Sequence, residues 1–541
     1  MRLILKDFYA NYVLKNKILF AIYILSTLLQ KILLIVIPLA TKYLINTISS
    51  KSSFENFKFW IYISLGLDFI FMLILSLRYF IQNKIEITAN REIKRDISEK
   101  LLYTSLNEIA GKENGYFIQR FNQDINNIKD LIIFEPVTLF INTFYIIAVF
   151  IILFKLNIYF ALALLIFFPI FFVLQKFFSP KISKLEKEIS IQNEDLNSRF
   201  EELVDGNYHI RLSRSIIYAI KRIKNSLDKI FNLEVKKSKL DIFYDFLLVT
   251  GLMNLMQLMP YLIGGFFVFK SQLSIGDITA FALYSSGLWD PIELIMGFPK
   301  KYAGEKVSLN RLYEILNLED ECKDGLKIDS FESLNIEGLS FSYEKREIFK
   351  DLNLKVKKGD KIGILGSNGS GKTSLLNILS CINRDYKGDI YLNGNNLRDY
   401  SFLTATSRIC LVPAEAFIFN DSIAGNIKLG RDICLNDFSY LTSSLEAKNK
   451  DLNLDIKNIK STLSSGEKKL IQLTRCLSLE SDLYLLDEPL NYVDENFKKI
   501  IMNYIKDNFK DKTLIIISHE PKILEITEKI YLLEDKKLIR K

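Results

Sequence analysis

The sequence predicts an all-α membrane domain of six helices followed by a soluble α/β domain with a helical subdomain. Apolar residues make up 49% of the chain and charged residues 25%, and the long apolar runs all precede residue 300. The remainder alternates short apolar strands with helical patterns. We therefore divide the chain into a membrane domain, 1–316, a linker, 317–330, and an α/β domain, 331–541.

Six apolar segments are long enough to cross a hydrocarbon core of about 30 Å with some tilt. Asp68 interrupts the second segment, and Asp290 and Glu293 interrupt the sixth. The segments are 17–46, 57–82, 132–155, 157–178, 243–269 and 275–299.

The loops between these segments predict the topology. Segments 83–131 and 179–241 are long and charged, whereas the other connections are short. Basic residues, among them Arg2 and Lys6, precede the first span, so the positive-inside rule places the N-terminus, the long loops and the α/β domain in the cytoplasm. We predict a multi-pass protein of the cytoplasmic (inner) membrane, embedded in the lipid bilayer, without a cleaved signal peptide.

The net charge and the cysteine spacing do not indicate a nucleic-acid-binding protein, a disulfide-bonded protein or a zinc protein. The net charge of +8 is explained by cytoplasmic loops that face an anionic leaflet, so nucleic-acid binding is not required. The five cysteines show no C-x-x-C spacing, and neither a disulfide framework nor a zinc site is predicted. They are Cys322, Cys381, Cys410, Cys434 and Cys476.

A glycine-rich loop reads G-x-x-x-x-G-K-T between a short apolar strand and a helical pattern. Its glycines let backbone N–H groups turn inward around phosphates, and Lys372 adds a positive charge. Thr373 offers a hydroxyl to Mg²⁺. We predict an ATP phosphate site made of Gly366, Ser367, Asn368, Gly369, Ser370, Gly371, Lys372, Thr373 and Ser374.

A second motif, Asp482–Pro489, is an apolar strand that ends in two carboxylates. Asp487 is suited to hold Mg²⁺ together with Thr373. Glu488, one residue beyond, is suited to polarise an attacking water as a general base. The two motifs together predict an ATP hydrolase.

Between these motifs, Leu463–Glu467 reads L-S-S-G-E and precedes a helical stretch. It resembles the L-S-G-G-Q signature of ATP-binding cassette (ABC) proteins, which place it between their two Walker motifs. The resemblance covers essentially the whole chain and implies the exporter-type fold, a six-span membrane domain fused to an α/β P-loop ATPase cassette. It also implies ATP and Mg²⁺ as cofactors and ATP-driven transport by alternating access.

The resemblance assigns roles to further residues. Tyr343 matches the aromatic residue that stacks on adenine, and Ser464 and Gly466 lie in the signature. Asp494 matches the D-loop, which touches the opposite nucleotide site across a dimer. His519 ends a buried strand and matches the γ-phosphate-sensing histidine, a second catalytic residue.

One element departs from the family pattern. Ala414 stands where the Q-loop glutamine is expected, which removes a group that approaches Mg²⁺ and weakens the implied coupling to the membrane domain. Glu415 is adjacent and is an alternative relay through a shifted loop. The acidic stretch expected before the signature is not recognisable in 453–462.

The resembling fold builds each ATP site from the phosphate loop of one cassette and the signature of another. One chain has one of each, so it is expected to be a half-transporter that dimerises. A homodimer is favoured, and the altered Q-loop leaves a heterodimer with a different partner open.

Charged residues within spans are candidates for cargo binding, because an unpaired charge at the bilayer centre is costly. Asp290 and Glu293 share a helix face and, with Gln257, predict an acidic cavity for a peptide or a cationic or amphipathic small molecule. Lys31 and Asp68 are interpreted equally well as cavity residues or as a structural ion pair.

Two other functions remain open. A lipid or lipid-linked glycan flippase would use the same machine with basic residues for a phosphate headgroup. A non-transporting regulatory ABC protein would use the cassette as a sensor, an interpretation prompted by Ala414.

Overall fold

A computed structural model of the protein describes residues 8–50, 52–110, 112, 114–128, 134–270, 272–321, 325–343, 346–367, 369–438, 441–442, 463–491, 493–519 and 525–541. Asn368, Cys322 and the stretch 453–462 therefore lie outside the described residues. The chain divides into two compact units. The first contains 1–99 and 114–317, and the second contains 100–113 and 318–541.

The first unit is helical, as its apolar runs predict. The α-helices before residue 317 include α1 Lys17–Ser49, α2 Phe54–Tyr103, α3 Leu106–Ala110, α4 Asn114–Gln119, α5 Glu135–Leu156, α6 Ile158–Leu165, α7 Phe167–Asp205, α8 Asn207–Leu212, α9 Ile216–Tyr244, α10 Met253–Phe269, α11 Ile275–Gly287 and α12 Trp289–Leu316. Of these, α3 belongs to the second unit. α2 is 50 residues long, whereas a bilayer needs about 20. Its second half therefore extends into the charged segment 83–131.

Among the residues described, five helical segments are long and apolar enough to cross a membrane. Each overlaps one of the first five predicted spans. In the second segment none of the most apolar window is buried within the chain, which is the pattern expected of a lipid-facing surface. The segments are Leu14–Ser49, Phe54–Tyr103, Glu135–Leu156, Ala161–Asp205 and Ile216–Phe269.

The sixth predicted span, 275–299, differs from the prediction. It consists of α11 and α12, which meet at Leu288, and neither is among the five spanning segments of the described residues. Pro291 has no N–H to donate to the carbonyl of Gly287, so the helical hydrogen-bond ladder is interrupted here. Asp290 and Glu293 also lower the apolarity of the first turns of α12.

α11 packs closely on α1 because residue 276 is glycine. A Cβ atom at Gly276 would lie 2.3 Å from the carbonyl oxygen of Lys42. The same contact carries an ion pair between Lys42 Nζ and Asp277 Oδ1 at 2.7 Å, and the Gly276 N–H donates to Asn46 Oδ1 at 3.0 Å. Polar bonds therefore fix the register of the two helices.

The second unit contains a four-stranded and a six-stranded sheet. Its strands are β1 Ser333–Tyr343, β2 Arg346–Lys357, β3 Lys361–Gly366, β4 Lys387–Leu392, β5 Asn395–Asn396, β6 Ile409–Val412, β7 Leu483–Asp487, β8 Thr513–Ile517, β9 Lys529–Glu534 and β10 Lys537–Arg540. Its helices after residue 318 include α13 Lys372–Leu379, α14 Phe402–Arg408, α15 Ile423–Lys428, α16 Ser465–Leu477 and α17 Glu495–Asn508.

The larger sheet has the strand order β10-β9-β3-β8-β7-β6, and β3 pairs in parallel with β8, β8 with β7, and β7 with β6. Every residue of β7 and β8 is buried, as expected for parallel strands covered on both faces. The smaller sheet, β2-β1-β4-β5, is antiparallel. The carboxyl ends of parallel strands meet at one edge, so the loops after β3, β7 and β8 converge there.

Candidate nucleotide site

The predicted phosphate loop joins the end of β3 to the start of α13. Lys372 is buried, and its Nζ donates to the backbone carbonyls of Gly366 at 2.8 Å and Ser367 at 2.9 Å. Burial lowers the pKa of the Lys372 ammonium, and the nearby Glu488 carboxylate opposes that shift. Ser370 Oγ is buried and has no hydrogen-bond partner among the described residues. An unpaired buried hydroxyl in this loop is suited to receive a phosphate group.

Gly371 is the position of the loop that most requires glycine. It precedes α13 in the left-handed conformation, with φ +100°. A Cβ atom at this position would lie only 2.2 Å from Ile348 Cγ2. Both the backbone and the available space therefore exclude a side chain here.

Strand β7 brings a carboxylate to the phosphate loop. Thr373 Oγ1 donates to Asp487 Oδ2 at 2.8 Å, although the two residues are 114 positions apart. Asp487 is buried. Hydroxyl and carboxylate oxygens are hard ligands of the kind that Mg²⁺ prefers, so the pair fits the predicted metal role.

Glu488 follows directly after β7 and is buried. Its backbone has φ +43°, a left-handed conformation that is uncommon for a residue with a side chain, and its N–H donates to the Ile517 carbonyl at 2.9 Å. The His519 backbone N–H donates to Glu488 Oε2 at 3.3 Å, and His519 Nε2 lies 3.5 Å from Glu488 Oε1. The structure thus brings the two predicted catalytic residues together.

Lys372, Thr373, Asp487, Glu488 and His519 line one cavity of about 360 Å³. Ala414, at the predicted Q-loop position, lies on its wall, whereas Glu415 is exposed and is not among the lining residues. Tyr343 also lines it, and its Oη lies 3.5 Å from Ser374 Oγ. The lining residues are Tyr343, Arg346, Ile348, Gly369, Gly371, Lys372, Thr373, Ser374, Ala414, Asp487, Glu488 and His519.

Sequence reasoning missed Arg346 and Ile348 in this cavity. Arg346 is the register partner of Tyr343 in the antiparallel pair of β1 and β2. The pattern of two strands on either side of Tyr343, which indicates a hairpin, is the sequence signal that could have identified them. The pairing contains register shifts between Ile336 and Ser342, so its register does not follow from counting residues.

Arg346→Ala is expected to raise the KM for ATP about three- to tenfold with little change in kcat, because an exposed cation at the cavity attracts the nucleotide without taking part in bond cleavage. Steady-state ATPase titrations against ATP measure both constants. Arg540→Ala, at the exposed end of β10, is the matched control. An unchanged KM in Arg346→Ala would show that its guanidinium does not contact the nucleotide.

Three predicted nucleotide residues, Ser464, Gly466 and Asp494, lie outside the phosphate loop and are not among the residues that line the cavity. Gly366, Ser367 and Ser370 of the phosphate loop are not among the lining residues either. Ser464 caps α16 through a reciprocal pair of bonds with Glu467, at 2.8 Å and 3.3 Å. Asp494 caps α17 by accepting from the Phe497 N–H at 2.9 Å. Within one chain the signature and the phosphate loop are therefore separate.

Comparison with models of known protein families identifies the family of this chain. Residues 20–292, just over half of the chain, match the family model described as ABC transporter transmembrane region. Residues 349–491 match the model described as ABC transporter. The chain belongs to the ABC transporter family. It is an ATP-hydrolysing transporter, and the predicted order of a helical membrane domain before an α/β cassette is confirmed.

Two bacterial relatives and one solved structure resemble this ABC transporter along nearly its whole length. "Putative multidrug export ATP-binding/permease protein YgaD" of Bacillus subtilis (strain 168) is 22% identical over 524 residues, which cover 93% of this chain and 90% of that protein. A protein of the same description from Staphylococcus aureus (strain NCTC 8325 / PS 47) is 23% identical, with 92% and 90% covered. A bacterial Atm1-family ABC exporter with ATP bound has the same fold, with a TM-score of 0.83 at 18% identity, covering 98% of this chain and 95% of that one.

The predicted cargo residues lie on several helices of the membrane unit of the transporter. Asp290 and Glu293 are exposed near the start of α12, and Gln257 is half-buried on α10. Lys31 Nζ lies 4.9 Å from the centre of the Tyr145 ring. Within the described residues Lys31 makes no ion pair with Asp68, which is exposed, so the structure does not contain the pair considered from the sequence.

Two other charged residues interact electrostatically with Lys31. Asp290 attracts its ammonium and Arg78, on α2, repels it. Arg78 was missed in the sequence, where it lies near the end of the second predicted span. Its Nε is buried and has no hydrogen-bond partner among the described residues. Lys31, Arg78 and Asp290 therefore form a mixed-charge group within the membrane unit.

Proposed function

We propose that this ABC transporter is a half-transporter that works as a homodimer and exports an amphipathic compound across the cytoplasmic membrane. One observation carries the proposal. The hydrolytic residues Thr373, Asp487, Glu488 and His519 meet at one cavity, while Ser464 of the signature is not part of its lining. The site has its own base and metal ligands but lacks a signature, which a second copy of the chain supplies.

The chain's own residues then divide the work of hydrolysis. Lys372 and the backbone N–H groups of the loop bind the β- and γ-phosphates. Bound Mg²⁺ supplies charge neutralisation at the phosphate oxygens, and Thr373 and Asp487 would hold it. Glu488 orients the attacking water and accepts its proton, while His519 holds the carboxylate in place.

Export follows if nucleotide binding closes two cassettes on each other and hydrolysis releases them. The basic N-terminal segment places both termini and the cassettes in the cytoplasm. The long helices α2, α7 and α9 continue from the apolar segments into charged cytoplasmic loops. A rigid helix can transmit a displacement from its cytoplasmic end to its membrane part, which supports alternating access.

The cargo that we propose is an amphipathic peptide or drug-like molecule that carries charge. Asp290 and Glu293 are exposed and offer carboxylates, while Lys31 lies near Asp290 and reduces the preference for a purely cationic cargo. On α10, Met253 and Met259 are half-buried and contribute a polarisable apolar surface, whereas Met256 is buried in the helix packing. The two bacterial relatives carry names that describe multidrug export, which agrees with a broad amphipathic cargo.

A second candidate is a flippase for a lipid or lipid-linked glycan. The specific observation in its favour is Arg78, which lies near Lys31 in the membrane unit. Two cations together are suited to a phosphate headgroup, since guanidinium and ammonium groups both bind phosphate. This candidate predicts stimulation by an anionic lipid, whereas the exporter predicts stimulation by soluble amphipathic compounds.

The test is the ATPase rate of the purified chain alone in liposomes, with panels of cationic peptides, amphipathic drugs and anionic lipids. Stimulation by soluble amphipathic compounds supports export, and stimulation by lipid alone supports the second candidate. A chain that hydrolyses no ATP by itself would contradict the homodimer and indicate a different partner chain.

The double variant Asp290→Asn/Glu293→Gln is expected to abolish stimulation by cationic compounds, because both carboxylates at the exposed face of α12 are neutralised. The ratio of stimulated to basal ATPase rate measures this in the same liposomes. Glu201→Gln, an exposed carboxylate of the cytoplasmic segment, is the control. Stimulation that persists in the double variant would remove these residues from the cargo site.

A further inference from the structure

Lys469, on α16, is a buried lysine, and among the described residues every hydrogen bond of its ammonium goes to a backbone carbonyl. It is 2% exposed. Its Nζ donates to the carbonyls of Pro413 at 2.8 Å and Ala414 at 2.9 Å, and it lies 3.5 Å from the carbonyl of Asp487. One side chain therefore joins the Q-loop to the end of β7.

Gln472, one turn further along α16, extends the same contact. Its Nε2 donates to the Glu415 carbonyl at 2.9 Å, and residues three apart in a helix share a face. The carbonyls of residues 413, 414 and 415 are thus all held from this face of α16. No other described helix is bonded to these three carbonyls.

The position of this contact connects three parts of the nucleotide machinery. Ala414 lines the cavity, and Asp487 is the residue before Glu488. α16 begins at the signature, where Ser464 is its N-terminal cap. Burying an ammonium is costly unless hydrogen bonds and opposite charges compensate, so a buried lysine at this position indicates a role beyond filling space.

We propose that Lys469 is a positioning residue for hydrolysis, which fixes the Q-loop segment 413–415 and the end of β7 to the helix that starts at the signature. A displacement of α16 then moves Ala414 and the backbone before Glu488 together. In the family pattern the Q-loop glutamine couples the nucleotide site to the rest of the transporter. Here the backbone hydrogen bonds of Lys469 perform this coupling, since Ala414 has no side chain that could. This inference rests on the proposed function of the same site.

The experiment uses the full chain in liposomes with ATP and Mg²⁺. Lys469→Met keeps the apolar stem and removes the donors, and it is expected to lower kcat about ten- to hundredfold, because a small displacement of a catalytic group has effects of that size. The KM for ATP is expected to stay within about twofold, since Lys372 and the loop are unchanged. Lys506→Met, an exposed lysine of α17, is the control for the same chemical change.

Two further variants keep the test decisive if Lys469→Met folds poorly. Gln472→Leu removes the Glu415 bond alone and is expected to lower kcat several-fold in the same direction, again without a change in KM. Lys469→Arg retains charge and donors and is expected to recover part of the rate lost in Lys469→Met.

The proposal is overturned if Lys469→Met and Gln472→Leu lower only the melting temperature and leave kcat per folded molecule unchanged, or if KM rises with kcat constant. A wild-type chain without Mg²⁺-dependent ATPase would instead contradict the proposed function. The two failures are distinguishable because the second appears before any variant is made.

Discussion

Glu488→Gln is expected to lower the kcat of ATP hydrolysis at least about a hundredfold, the size of effect typical of losing a general base. The amide cannot accept the proton of the attacking water. It has nearly the shape of the carboxylate and still accepts a hydrogen bond from the His519 N–H, which lies 3.3 Å from the carboxylate in the wild type. Phosphate release from the purified protein measures kcat, and a fluorescent ATP analogue measures binding.

ATP binding is expected to persist in this variant, because Lys372 and the loop glycines are untouched. Glu480→Gln, an exposed carboxylate before β7, controls for loss of a negative charge from the cassette. Retention of more than about a tenth of the wild-type rate would mean that another group activates the water.

Gly371→Ala is expected to raise the Kd for ATP at least about tenfold, since the left-handed backbone alone costs roughly 1–2 kcal/mol once a Cβ is present. A steric conflict adds to this cost, because the new methyl group would lie 2.2 Å from Ile348 Cγ2. Ile348 is β-branched and also lines the cavity, so it cannot turn away freely. Equilibrium titration with ATP measures the affinity.

Gly394→Ala is the matched control for the backbone effect. Gly394 has φ +85°, and a Cβ atom there would meet nothing within 4 Å. This variant is expected to lose roughly 1 kcal/mol of stability and to bind ATP normally. If both variants bind ATP equally well, the packing around Gly371 does not shape the phosphate site.

The motifs that were found from the sequence are those in which neighbouring residues carry the signal. Gly371, Lys372 and Thr373 are consecutive, and Asp487 and Glu488 end one apolar strand. A local pattern of this kind needs only the strand-loop-helix context to be interpreted. The Q-loop position was located in the same way, and Ala414 does lie at the cavity.

Arg346 and Lys469 illustrate what local patterns miss. Arg346 reaches the cavity through cross-strand register, which shifts within the β1–β2 pair. Lys469 reaches the Q-loop across 55 positions of sequence, through the packing of α16 beside β6 and β7. Neither contact has a spacing rule, so nothing in the order of residues marks these side chains as different from surface cations.

In the membrane unit, too, local features were predictable from the sequence and contacts between helices were not. Apolar length predicted five spans that the structure contains, because the length of a span follows from the thickness of the bilayer. The pairing of Lys31 was not predictable, since depth along two helices leaves their rotation about their axes undetermined. In the structure the Lys31 ammonium lies over the Tyr145 ring and is attracted by Asp290, and within the described residues it makes no ion pair with Asp68.

The sequence by itself determined that this protein has apolar spans, a phosphate loop and two carboxylates at the end of a strand, because apolar length and local backbone chemistry are written in consecutive residues. Only the tertiary structure decided which distant groups meet. Thr373 bonds Asp487 across 114 positions, while Ser464 lies away from the cavity that both residues line. Sheet order and helix packing set these distances, and they depend on the whole folded unit rather than on any single segment.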